Sequence, residues 1–197
     1  RWRDDDVLLH ALPIFHVHGL FVALHLALLH SSPILFHEKF DNKAVLRDLR
    51  SATVFMGVPT FYVRLLSEPV FGKVDCENMR LFISGSAPLL DATFAEFEER
   101  TGHVILERYG MTEALMVTSN PYDGPRIAGS VGPALPGIAV RVMGDNGQLA
   151  AIVEPGVIEF KGPNLFSGYW RNPEKTAEDH TADGYFISGD IATQDEN

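Results

Sequence analysis

RLFISGSAPLLDATFAEFEERTGHVIL, residues 80–106, decides the fold class. Residues 80–84 are a β-rich apolar run. Gly85, Ser86, Ala87 and Pro88 interrupt it with a turn. Leu90, Phe94 and Phe97 then recur at helical spacing, and Gly102 is a stop signal for a helix over 89–100. Residues 104–106 read as the next strand. A strand, a ligand-sized loop, a helix and a strand in this order form the repeating unit of an α/β sheet.

The same alternation continues upstream. Residues 20–30 are apolar on nearly all sides and predict a buried helix. Residues 33–36 are a short strand-like run. Asp41 can cap a helix through Arg50, with Val45, Leu46 and Leu49 on one face. Residues 53–56 are β-rich, and Pro59 suits the first turn of a helix through Ser67. The pattern predicts an α/β fold, a mostly parallel sheet with flanking helices. Ligands bind such sheets at the carboxyl ends of the strands. That places interest on the loops 84–88 and 109–113, each expected to follow a strand and lead into a helix. After Asn120 the character changes. Pro121, Gly124, Pro125, Gly129, Gly132, Pro133, Pro136 and Gly137 cluster. Residues 138–143, 157–161 and 185–188 read as strands, Asp145-Asn146-Gly147 as a turn and 173–180 as a short helix. This is a β-rich, distorted barrel-like module. The expected division is 1–124 and 125–197.

The chain has 197 residues, 46% of them hydrophobic, with 16 basic against 26 acidic residues and a net charge of −10. A surface so acidic disfavours phosphate-backbone contact, which argues against nucleic-acid binding. One cysteine, Cys76, rules out an internal disulfide framework and a cysteine-based zinc cluster, and makes a reducing, cytoplasmic compartment the default. An organellar matrix stays open if a targeting peptide precedes Arg1. The longest apolar run, residues 19–29, is about half of what a bilayer span needs, roughly 20 residues. Oligomeric state cannot be read from the sequence.

Tyr109-Gly110-Met111-Thr112-Glu113 gathers useful chemistry. A ring can stack on a base, a glycine lets backbone approach a ligand, and a hydroxyl with a carboxylate can hold a phosphate and its Mg²⁺. The same residues also fit an ordinary strand-to-helix turn capped by Thr112. His16-Val17-His18 could be half of a metal site, but no cysteine and no nearby carboxylate completes it. On an alternating stretch the two histidines share one face and suit a pocket wall equally.

Together the motifs resemble those of the adenylate-forming (AMP-binding) superfamily, which includes acyl-CoA synthetases, luciferases and peptide-synthetase adenylation domains. Tyr109 to Glu113 resembles the central signature. Leu12-Pro13-Ile14-Phe15-His16-Val17-His18-Gly19 resembles the upstream motif, and Ser84-Gly85-Ser86-Ala87-Pro88 the loop lining the adenine pocket. Gly162-Pro163-Asn164, Gly168-Tyr169-Trp170 and Asn172-Pro173-Glu174-Lys175-Thr176 resemble the next block, and Gly184-Tyr185-Phe186-Ile187-Ser188-Gly189-Asp190 the ribose-binding motif. The resemblance implies part of the large domain of such an enzyme. A carboxylate attacks the α-phosphate of ATP, and the acyl-adenylate then passes its acyl group to the thiol of coenzyme A. It further implies nucleotide binding by Ser86, Ala87, Pro88, Tyr109, Gly110, Met111, Thr112 and Asp190. Catalytic roles fall to His16, Thr112 and Glu113, with Glu113 also holding Mg²⁺. The family's lysine-bearing phosphate loop would lie upstream of Arg1 and its smaller C-terminal domain beyond Asn197, so the segment alone is expected to be inactive or impaired.

Within the superfamily, residues 56–66, 80–84 and 107–109 are similar to malonyl-CoA synthetases, which implies a role in fatty acid metabolism. A dicarboxylate needs a cation in the acyl pocket, because burying its second charge unpaired is unfavourable. Arg64 is the expected cation, with Arg126 a weaker second. Val17, His18 and Met116 are expected to form walls that favour a short acid. Another short or aryl acid, a non-catalytic nucleotide-binding module and a poorly folding fragment remain alternatives.

Overall fold

The computed structural model describes residues 2–196, which divide into two compact units between Gly132 and Pro133. The division falls later than the turn-rich boundary expected at 124, because residues 125–132 pack back onto the first unit. Arg126 Nη1 donates to the Val104 carbonyl, Ile127 N–H to Asn120 Oδ1 (3.3 Å), and Gly129 N–H to Glu107 Oε1 (3.2 Å).

The first unit is built on a six-stranded sheet in the order β2-β1-β3-β4-β5-β6. Its strands are β1 (Leu8–His10), β2 (Ile34–Phe36), β3 (Val54–Gly57), β4 (Leu81–Ser84), β5 (Leu106–Met111) and β6 (Leu115–Ser119). All pairings are parallel except β5 with β6, an antiparallel hairpin. The period-2 alternation of strand side chains divides the core in two. Leu9, Phe55 and Phe82 face α2 (Asn42–Leu49), α3 (Pro59–Leu66) and α4 (Asp91–Thr101), packing with Tyr62, Leu65 and Phe97. Leu8, Val54, Met56, Ile83 and Leu106 face Val22, Ala23 and Ala27. Val22 and Ala23 belong to a π-helical segment, His18–Leu24, and Ala27 to α1 (His25–Leu29), which continues it. Asp41 caps α2 by accepting from Ala44 N–H (2.9 Å), Pro59 opens α3, and Gly102 ends α4 at φ 75°.

Three details depart from the sequence reading. The segment 20–30 buries one stripe only, leaving Phe21, Leu28 and Leu29 exposed on its outer side. The strand expected at 104–106 begins at Leu106 and runs on to Met111. No helix follows it: residues 112–114 turn straight into β6.

The second unit holds an open antiparallel sheet, β7 (Ala139–Met143), β8 (Gly156–Lys161) and β9 (Phe186–Ala192), in that order. Phe160 and Phe186 (ring centroids 5.4 Å apart) centre its core. Arg141 lies over the Tyr185 ring and bridges Glu159 (2.7 Å) and Asp183 (2.7 Å). Asn172 caps the short helix α5 (Pro173–Glu178).

Candidate active site

The carboxyl ends of β4 and β5 meet the start of the π-helical segment around a recess. Val17, His18 and Val22 line it from that segment, Ile83, Gly85 and Ser86 from β4 and its loop, and Arg108, Gly110, Leu115 and Met116 from the hairpin. Backbone geometry shapes these walls. Ser86 (φ 69°) and Leu115 (φ 59°) both hold the left-handed conformation that side chains disfavour. Register shifts between Tyr109 and Gly110, a bulge of the kind that re-aims side chains beside active sites. Gly110 is needed there because a Cβ would collide with the Leu115 carbonyl. The π-helical turn, in which His25 N–H reaches back to the Leu20 carbonyl, is likewise a local distortion frequent at functional sites.

His18, 9% exposed, places Nδ1 3.1 Å from Ser86 Oγ. Burial foremost, then the charges of Arg108 and His10, push its imidazole down to about 4, so it is neutral at neutral pH. In the unfolded chain the group regains its ordinary value near 6.5. The unfolded state then binds a proton that the folded state refuses between about pH 6.5 and pH 4. His18 therefore supports full stability above about pH 6.5, and that stability falls away on acidification, by about 3 kcal/mol over the whole window. His18→Gln should flatten this part of the profile. Urea unfolding of both proteins at pH 5 and pH 7 checks it: the stability lost between the two pH values should be smaller in the variant.

Arg108 is the cation of the recess. It is half-buried, its Nε donates to Ser119 Oγ (3.2 Å), and among the described residues it forms no ion pair. Burial first, then Arg126, lowers its pKa, yet a guanidinium stays charged under such a shift.

The predicted residues fall into two groups. Val17, His18, Ser86, Gly110 and Met116 converge on the recess. Tyr109 and Met111 follow on β5, with Tyr109 Oη 4.0 Å from the Met111 sulfur. Ala87 and Pro88 are exposed after β4, Thr112 is exposed on the hairpin turn, and Glu113 is half-buried beside it. His16 is exposed at the foot of the π-helical segment, its ring 4.6 Å from that of Phe15. Asp190 lies on β9 of the second unit, its N–H donating to Ser188 Oγ (3.1 Å).

Two of the expected residues lie away from this recess. Arg64 does not line the recess. It follows the inward-facing Tyr62 by two positions, about 200° around a helix, so it projects outward and stacks 4.6 Å from the Phe40 ring centroid. Arg126 is also elsewhere. The Gly124-Pro125 turn carries it to the Val104 and Tyr122 carbonyls, beside Glu98 and His103. Arg108, Leu115 and Ile83 were missed as lining residues. A longer β5 would have revealed Arg108: Leu106, Arg108 and Gly110 share one strand face.

A mostly parallel sheet with a recess at its carboxyl edge is the α/β arrangement in which ligands commonly bind. The chain belongs to the AMP-binding enzyme family, whose model matches residues 1–170. It is 40% identical to the malonate–CoA ligase of Arabidopsis thaliana, over 100% of this chain and 35% of that relative. ATP-bound MatB from Rhodopseudomonas palustris superposes with a TM-score of 0.96 at 54% identity, over 100% of this chain and 39% of that one. A malonyl-CoA ligase ternary product complex with methylmalonyl-CoA and AMP bound superposes at 0.89 and 38% identity, covering 99% of this chain and 43% of the other. The chain thus spans well under half the length of these relatives.

Proposed function

We propose that the chain is the acyl- and nucleotide-binding part of an ATP-dependent acid–CoA ligase whose acid is malonate or a close short dicarboxylate. The carrying observation is Arg108, a guanidinium facing the recess with no carboxylate partner among the described residues. A monocarboxylate leaves such a cation unmatched, whereas a second carboxylate matches its planar fork of donors. Neutral His18 and Ser86 Oγ add polar contacts without extra charge. Val17, Val22 and Met116 close the apolar sides around a short acid.

In this reading the acid's reacting carboxylate oxygen attacks the α-phosphorus of ATP, pyrophosphate leaves, and the thiol of coenzyme A later displaces AMP from the acyl carbon. The chain's contribution is positioning and electrostatic preorganisation. Ser86, Ala87 and Pro88 flank the adenine together with Tyr109. The Thr112 hydroxyl and the Glu113 carboxylate, adjacent on the hairpin turn, are oxygen donors of the kind Mg²⁺ takes alongside phosphates. When bound, the ion would neutralise phosphate charge.

The test is pyrophosphate exchange into ATP by a family-length protein carrying this chain. Malonate should support exchange at least tenfold better than acetate or octanoate. Equal or better exchange with a monocarboxylate would remove the dicarboxylate assignment.

A further inference from the structure

We propose that Glu107 is a positioning residue for the nucleotide side of the site, a clasp that fastens the loop after β4 and the turn at Gly129 onto β5 and that tightens when its carboxyl ionises. The inference rests on the nucleotide reading of Ser86, Ala87 and Pro88 given above.

Glu107 and Arg108 are consecutive on β5 and so serve opposite faces of the sheet. Arg108 faces the acyl recess. Glu107 points to the other face and is 4% exposed. Its Oε1 accepts from Gly129 N–H (3.2 Å), and the Leu89 N–H, directly after Pro88, lies close enough to favour its charged form. Its backbone carbonyl accepts from Asn120 N–H (3.0 Å) and from Asn120 Nδ2 (3.3 Å). The same Asn120 side chain holds Ile127 N–H and the Ser130 carbonyl. Glu107 thus joins three segments: the 84–89 loop, β5 and the 127–130 turn.

The surroundings make the clasp sensitive to protonation. Asp91, at the start of α4, is the charged group that faces it, and Asp91 Oδ1 flanks Gly129 from the other side. Ser84 is its register partner on β4, a buried hydroxyl with no hydrogen-bond partner among the described residues. Asn120 presents a neutral amide. Burial foremost, with Asp91 adding to it, pushes the Glu107 carboxyl up to about 7, against the two backbone donors that favour its ionised form. Above that pH the carboxylate holds Gly129 N–H in a charge-assisted bond and draws the Leu89 N–H toward it. Below it, the carboxylic acid accepts them more weakly.

The experiment measures the backbone amide shifts of Gly129 and Leu89 from pH 5.5 to 8.5, together with AMP affinity by calorimetry, in the wild-type chain and in Glu107→Gln and Glu107→Ala. In the wild type both amides should titrate with a midpoint near 7, and AMP should bind severalfold more tightly above the midpoint than below it. Glu107→Gln keeps an acceptor but cannot ionise, so its amide shifts and AMP affinity should be flat across this range. Glu107→Ala should bind AMP more weakly than either at every pH. AMP binding with flat wild-type amide shifts, or with an unchanged pH profile in Glu107→Gln, would overturn the clasp alone. Failure of the wild type to bind AMP at any pH would instead overturn the nucleotide reading on which the clasp depends.

Discussion

Arg108→Met should weaken malonate binding by about a hundredfold, or about 2.7 kcal/mol, while leaving acetate binding within a fewfold of wild type. The figure sits at the lower end for a truncated charge pair because Arg108 is half-buried rather than fully enclosed. The contrast between the two acids carries the argument. Loss of packing would weaken both, since methionine approximates the volume of the aliphatic stem, whereas loss of the charge affects only the acid with a second carboxylate. Arg108→Lys should fall between, because an ammonium keeps the charge but loses the planar pair of donors. Titration calorimetry with the two acids gives both numbers. Malonate affinity near wild type in Arg108→Met would mean that the distal carboxylate is held by another group.

Arg64 shows how much of a side chain's placement depends on helical phase. A search for an arginine near the Val58-Pro59-Thr60 turn finds Arg64 by proximity in sequence, but helical phase decides where a side chain points. Tyr62, Leu65 and Leu66 take the inward positions, and that leaves Arg64 over Phe40 on the outside. Arg108 was legible in principle through strand phase, and was hidden by ending the strand at Leu106. A run such as Glu107-Arg108-Tyr109-Gly110 is too polar to read as a strand, since its polar side chains are accommodated by particular partners: Ser119 for Arg108, Gly129 for Glu107. Such pairings join positions far apart in sequence, and local pattern carries no trace of them.

Elements with local causes were read well. The Asp41 cap, the Pro59 start and the Gly102 stop each act within one helical turn, and α2, α3 and α4 lie where those signals put them. The loops at 84–88 and 109–113 come together at the recess because neighbouring parallel strands end on the same edge of the sheet. The hairpin after Met111 had no such signal. It depends on the bulge at Gly110 and on Leu115 in a left-handed conformation, and Leu115 is a residue type that gives no hint of it.

At the opposite, amino-terminal edge of the sheet, Asp6→Ala should cost about 3–4 kcal/mol of stability, a large fraction of what a unit of this size possesses. Asp6 is 1% exposed and accepts from Arg80 Nε (3.0 Å) and Nη2, from Thr53 Oγ1 (2.9 Å) and from Arg3 N–H (2.8 Å). It ties together the entries to β1, β3 and β4. Arg80 also donates to Tyr122 Oη (2.9 Å), so the tie extends past the end of β6. Removing the carboxylate leaves the Arg80 guanidinium, itself only 13% exposed, without its anion. That unpaired charge is the greater part of the expected loss, and a companion variant isolates it. Asp6→Ala combined with Arg80→Met removes both charges and should recover part of the stability, although each single change is destabilising. Burial raises the Asp6 pKa, but the hydrogen bonds from Arg80, Arg3 N–H and Thr53 outweigh it and hold the carboxyl below its ordinary value near 3.8. Its contribution is thus complete above about pH 4 and is lost as pH falls through the folded-state value. Urea denaturation at pH 7 should show the midpoint of Asp6→Ala lowered by about 1.5–2 M, given a slope of roughly 2 kcal/mol per molar. A double variant less stable than Asp6→Ala would mean that Arg80 stabilises the edge through Tyr122 and its own packing, and that the ion pair is secondary.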